Sequence, residues 1–158
     1  MSLTVGHIFL AAFSHTIGFK IFGAFLHIVG CQTTVQVIRH CEKPNPNVNG
    51  HCTQVGLARA EYIADLWGGE RFSPPDYLLA RAPQEPDAIY REVETLRPLS
   101  NRIGVETYHG IHKTTPVEKM ITHDIVKGEM CGETVLVCWK HSLIVPLLRE
   151  LGCDKGQG

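Results

Sequence analysis

Arg39 and His40 follow the apolar run Val35-Gln36-Val37-Ile38, and His141 stands just beyond a second run, Thr134-Val135-Leu136-Val137-Cys138-Trp139. A strand ending in Arg-His delivers a cation and a nucleophile side by side to the carboxyl edge of a sheet, where open α/β sheets bind their ligands. A guanidinium offers a flat fork of donors matched to phosphate, and a neutral imidazole can attack phosphorus. Arg91, in Tyr90-Arg91-Glu92-Val93-Glu94-Thr95, sits near a helix start and can reach over the same edge. A phosphoryl group in transfer spreads charge over three equatorial oxygens, so its catalysis is mostly positioning and electrostatic stabilisation. Two arginines and two histidines around one anion suit that task. Taken singly, each has an ordinary reading: Arg39 paired with Glu42 in an exposed bond of little worth, His141 as a strand-end histidine, Arg91 as a solvated helix residue. The functional reading rests on all four together, in this order.

The elements that position them alternate. Thr34–Ile38 reads as a short β-branched strand, followed by a Pro/Asn-rich loop to Gly50. Thr53 is a suitable N-cap for a helix to about Trp67, with Leu57, Ala60, Ile63, Ala64 and Trp67 on one face and Gly68-Gly69 ending it. Tyr77–Ala80 reads as a strand, Pro83–Pro86 as a loop, and Ile89–Ile103 as a helix broken or restarted at Pro98. Gly104–Thr115 reads as strand plus loop and Val117–Val126 as helical. Thr134–Trp139 is a buried strand, and Ser142–Leu151 a helix with Pro146 near its start. Strand and helix in alternation predict an α/β domain: a mostly parallel sheet with helices on both faces.

Composition sets wide bounds. A chain of 158 residues holds one domain with a respectable core. With 20% charged residues and a formal net charge of −1, no bulk field recruits nucleic acid or anionic membrane. Residues 1–32 differ from the rest: Ile8 to Gly30 is largely Phe, Ile, Leu, Ala and Gly, interrupted by His15, Lys20 and His27. A secretory signal wants a positive start and an unbroken apolar centre, and Lys20 falls mid-run. The segment is read as an apolar extension preceding the domain of residues 33–158, with a signal or anchor role, and membrane contact through residues 8–30, left open. Of the six cysteines, Cys41 and Cys138 lie beside the chemical motifs, which suits buried thiols better than a disulfide framework. The cysteine count does not fix the compartment: cytoplasmic placement is slightly favoured over secreted or membrane-anchored.

The run Arg39-His40-Cys41-Glu42-Lys43-Pro44, the later Leu57-Ala58-Arg59-Ala60, the Arg91-x-x-x-Thr95 spacing and Val135-Leu136-Val137-Cys138-Trp139-Lys140-His141 resemble the histidine phosphatase superfamily, closest to its phosphoglycerate-mutase-like branch. The likeness covers about residues 34–152. It implies a three-layer phosphoglycerate-mutase-like sheet, a phosphohistidine intermediate on His40, and a phosphate pocket of Arg39, Arg91 and His141. Arg59 is read as a structural pairing residue, and Arg81 and Arg97 as surface groups, with Arg81 able to border the pocket.

The chain departs from the family pattern in places. Cys41 occupies the position after the first His, where the family most often has Gly, and a thiol beside cations is prone to acidity and oxidation. The general acid is not legible in the chain: the resemblance points to Glu118, at a family-like distance beyond Arg91, with Glu94, Glu106 and Asp87 as rivals. The chain ends soon after Cys153, where larger relatives carry another strand, so either the domain is minimal or its C-terminus is missing. Ser142 after His141 argues against the acid phosphatase and phytase branch, which places His-Asp together; His123-Asp124 has no buried strand leading into it. The compact chain leaves little room for the segments a mutase needs, which favours a phosphatase.

The expected function is hydrolysis of phosphomonoesters, on a phosphorylated small molecule or a phosphoprotein, with no metal or organic cofactor required by the chemistry. The alternatives are a catalytically inactive phosphate-binding relative and a metal-binding module built on His40-Cys41 and His51-Cys52. The loops at Asn45–Gly50, Pro83–Asp87 and His109–Thr115 would set the substrate. Neither its identity nor the oligomeric state is legible.

Overall fold

A computed structural model describes residues 2–7, 31–46, 49–81, 90–111 and 130–151. Its centre is a five-stranded sheet in the order β1-β2-β5-β3-β4. The strands are β1 (Ser2–His7), β2 (Cys31–Arg39), β3 (Tyr77–Arg81), β4 (Thr107–Ile111) and β5 (Thr134–Trp139). Strands β2 to β4 run parallel through β5, and β1 pairs antiparallel along the outer edge of β2. Among the described residues the α-helices are α1 (Gln54–Asp65), α2 (Arg91–Ile103) and α3 (His141–Glu150).

Strand β5 explains why the sheet needs cover on both faces. Successive side chains of a strand point to opposite faces, and an internal parallel strand is apolar at every position. On one face Val135, Val137 and Trp139 pack with Val35 and Val37 of β2 and with Leu147 and Leu151 at the end of α3. On the other, Leu136 and Cys138 pack with Leu78, Ala80, Ala64 of α1, and Leu96 and Leu99 of α2. The α/β, three-layer arrangement expected from the sequence is what forms.

This layering also fixes where a ligand can enter. β2 and β5 are hydrogen-bonded neighbours, Arg39 lying opposite Trp139. After β2 the chain leads to α1 on one face; after β5 it turns into α3 on the other. Adjacent strands whose chains depart to opposite faces leave a crevice outside their carboxyl ends.

Several local expectations are corrected. β2 extends to Cys31, and Ser2–His7, read as the front of an apolar extension, adds an antiparallel edge strand. Residues 8–30, the candidate anchor, lie outside the described residues. No helix among the described residues is long and apolar enough to cross a membrane. α2 runs unbroken through Pro98. Proline inside a helix costs about 3 kcal/mol, and the complete burial of Leu96 and Leu99 on either side offsets it. On α1 the inward residues are Gly56, Ala60, Ile63 and Ala64, whereas Leu57 is 37% exposed. Thr53 caps this helix by accepting from the Gly56 N–H at 3.1 Å. A five-residue π turn, Leu66–Glu70, ends it, with Gly69 at φ 110°. The predicted helix over 117–126 falls outside the described residues.

Candidate active site

His40 continues the β2–β5 ladder one residue past the strand, its backbone N–H donating to the Trp139 carbonyl at 3.2 Å. The residue is 2% exposed. Its Nδ1 lies 2.6 Å from the Cys41 carbonyl oxygen. A carbonyl can only accept, so Nδ1 carries the proton and Nε2 keeps its lone pair. Burial is the main force lowering the imidazole pKa to about 4; the Cys41 hydrogen bond opposes it, and the charges of Arg91, Arg39 and His141 add to it. At neutral pH His40 is an uncharged base amid cations.

Three other predicted residues converge on it. Arg39 is exposed at the end of β2. His141, the first residue of α3, faces His40 edge-on with ring centroids 5.7 Å apart. Arg91 begins α2 and is buried, its Nη1 donating to the Asn49 carbonyl at 3.1 Å. The fifth, Glu118, and its rival Asp87 lie outside the described residues. Of the remaining rivals, Glu106 is exposed immediately before β4, at the opposite edge of the sheet, and Glu94 is engaged elsewhere.

A scaffold ties α2 to the strand end. Thr95 Oγ1 accepts from the Cys41 N–H at 2.8 Å and donates back to the Arg91 carbonyl at 2.6 Å. The Arg91-x-x-x-Thr95 spacing therefore joins Arg91 to the residue beside His40. Arg59 Nη2 donates to the His40 carbonyl at 2.6 Å, and its Nε pairs with Glu42 at 3.0 Å. Burial alone would raise the Glu42 carboxyl, but the hydrogen bond and charge of Arg59 hold it below its usual range. Glu42 is thus paired with Arg59, and the charge of Arg39 adds to the effect.

Cys41 corrects a sequence expectation. It is no free thiol: it is bonded to Cys52, with Cα atoms 5.6 Å apart. The Thr53 N–H donates to the Glu42 carbonyl at 2.9 Å, folding the intervening loop back on itself and bringing the cysteines together. Cys138 does remain a buried thiol, its pKa pushed up chiefly by burial. Closing a loop with a sequence separation of 11 stabilises the fold by about 2.7 kcal/mol on the chain-entropy relation. Cys52→Ser should accordingly lower the unfolding free energy by about 2–3 kcal/mol, read by denaturant titration.

Helix α1 approaches so closely that a Cβ on Gly56 would meet Glu42 N at 2.9 Å, Cys41 Cβ at 3.0 Å and Glu42 O at 3.0 Å. Two of these are backbone atoms and cannot swing aside. Gly56→Ala should cost about 1–3 kcal/mol and lower the melting temperature.

The sequence reading missed two buried charges. Arg81, expected at the surface, is buried at the carboxyl end of β3. Glu92 is 1% exposed, and burial pushes its carboxyl up against the opposing charges of Arg81, Arg91 and Lys140. A carboxylate one residue from the predicted arginine was visible in the chain, but nothing in the local pattern marked it as inward.

Comparison with known proteins bears on the fold. No family model and no curated protein matches the chain. Among solved structures it is similar to a protein assigned as the phosphohistidine phosphatase SixA of Agrobacterium tumefaciens, with a TM-score of 0.50 and 18% identity over 78% of this chain and 83% of that one. At that identity the likeness speaks for the fold: this chain has the α/β, phosphoglycerate-mutase-like architecture of that structure.

Proposed function

We propose that the protein is a phosphomonoester hydrolase working through a phosphohistidine. The observation that carries this reading is the convergence of Arg39, Arg91 and His141 on a buried, neutral His40 whose Nδ1 is held by the Cys41 carbonyl. Nε2 attacks phosphorus, the N–P bond forms, and the P–O bond to the leaving alcohol breaks. The two guanidiniums and His141 stabilise charge on the equatorial oxygens. The leaving oxygen takes a proton from a carboxylic acid, a role we assign to Glu118. Water then attacks the phosphohistidine with that carboxylate as base, releasing phosphate and restoring His40. These steps need no metal.

The SixA likeness supports a phosphatase on this fold, and its name makes phosphohistidine-bearing protein a substrate to try beside small monoesters. The purified protein should hydrolyse p-nitrophenyl phosphate at a rate unaffected by chelator. A folded protein without turnover, or turnover abolished by chelator, contradicts the reading.

The pH dependence is distinctive. Protonated His40 cannot attack, so the acid limb of kcat/KM, which reports the free enzyme, should fall near pH 4, where His40 titrates. The substrate's own second ionisation, near pH 6, must be divided out first. A corrected limb at about 6.5, the ordinary imidazole value, would show that the nucleophile is not the buried group described.

A further inference from the structure

Beside the phosphate pocket lies a cluster that the hydrolytic chemistry does not use. Cys41 Sγ, Cys52 Sγ and a Glu94 carboxylate oxygen lie within 4.8 Å of one another. Glu94 is aimed at this spot: its Oε2 accepts the Cys52 N–H at 2.8 Å, and its Oε1 lies 2.6 Å from His51 Nδ1. The His51 ring is in turn stacked on Tyr90, with centroids 5.1 Å apart and planes 8° from parallel. Two sulfurs and one carboxylate oxygen thus meet from the strand end, the loop before α1 and the first turn of α2, with the His51 ring held on the other carboxylate oxygen.

We propose that these four residues form a zinc site when the disulfide is open. Tetrahedral zinc with S, N and O ligands holds its ligand atoms about 3.3–3.8 Å apart, which the two sulfurs and the Glu94 oxygen reach with small side-chain adjustments and His51 by turning from the carboxylate toward them. A pair of thiolates with an imidazole selects zinc over the hard cations Mg²⁺ and Ca²⁺. Cys41 is fully buried, while Cys52 is only partly so and gives a reductant access. A dithiol attacks Cys52 Sγ and expels the Cys41 thiolate; its second thiol then closes a cyclic disulfide, leaving two protein thiols. Zinc displaces the two thiol protons and takes Glu94 and His51 as its remaining ligands. Loss of about 2–3 kcal/mol with the cross-link leaves a domain of ordinary stability folded.

The sequence pairs His40-Cys41 and His51-Cys52 suggested metal ligands, but the observed donor set excludes His40 and adds Glu94. Oxidised protein closes the site with a bond; reduced protein opens it to metal. This inference is independent of the phosphatase reading.

Cobalt is the probe, because thiolate ligation gives it a charge-transfer band that histidine-only binding lacks. Dithiol-reduced, desalted protein should bind one Co²⁺ per chain with that band and with tetrahedral visible bands, all bleached by Zn²⁺. Oxidised protein should show none. Cys52→Ser should lose the band, and Glu94→Gln, which keeps both cysteines, should weaken binding at least about tenfold. The proposal is overturned by reduced protein that keeps its far-ultraviolet circular dichroism yet takes up no Co²⁺ with this band. Reduced protein that unfolds even with Zn²⁺ present, or binding indifferent to Glu94→Gln, overturns it equally.

Discussion

His40→Ala should lower turnover of p-nitrophenyl phosphate by on the order of 10⁴-fold or more, the scale seen when a covalent nucleophile is removed. His141 sits at a helix start with its ring set edge-on to His40, placed to stabilise rather than to attack in line. The loss should fall on kcat and leave phosphate binding largely intact, because both arginines remain. Truncating a buried imidazole also opens a cavity, so His40→Gln is the companion variant: it fills much of the volume, offers no attacking nitrogen, and should be as inactive. Circular dichroism of both separates chemistry from folding.

Arg91→Ala should cost about 10²–10³-fold in kcat/KM, the effect of removing one main donor to the transition state. Arg91→Lys should recover little. A lysine brings one mobile charge, whereas the guanidinium can hold an anchor and a ligand at once; here Arg91 already spends one nitrogen on the Asn49 carbonyl. The Thr95 and Cys41 contacts reach Arg91 through its backbone carbonyl, which either substitution keeps. The thermal melt should fall only by what the buried side chain and its Asn49 bond contribute, while activity falls far more. Equal losses of stability and rate would make Arg91 a structural arginine.

The parts of this fold legible in the sequence were those written in local pattern. The β-branched run of β2, the uninterrupted apolar run of β5 and the capping Thr53 each announce their element, because burial on one or both faces dictates residue type position by position. Strand polarity then placed Arg39, His40 and His141 at one edge without any structure. What escaped was set by contacts distant in sequence. The Cys41–Cys52 bond depends on a loop closed by one backbone hydrogen bond to Glu42. The burial of Glu92 and Arg81 depends on which turn of α2 meets the end of β3, and the continuity of α2 at Pro98 on two leucines anchored in the core. The choice of Gly56 over Leu57 as the inward residue of α1 follows from how tightly that helix presses on Cys41. The general acid was suggested only by the family resemblance, and Glu118 lies outside the described residues.

The central claim is a covalent bond between phosphorus and His40. It is tested most directly by quenching the enzyme during turnover of a radiolabelled phosphomonoester and mapping the label by its acid and base stability and by peptide analysis. The account predicts a phosphoenzyme that is lost in acid, survives base, and maps to the peptide carrying His40. Label that is stable in acid, or that maps to any other residue, would contradict it.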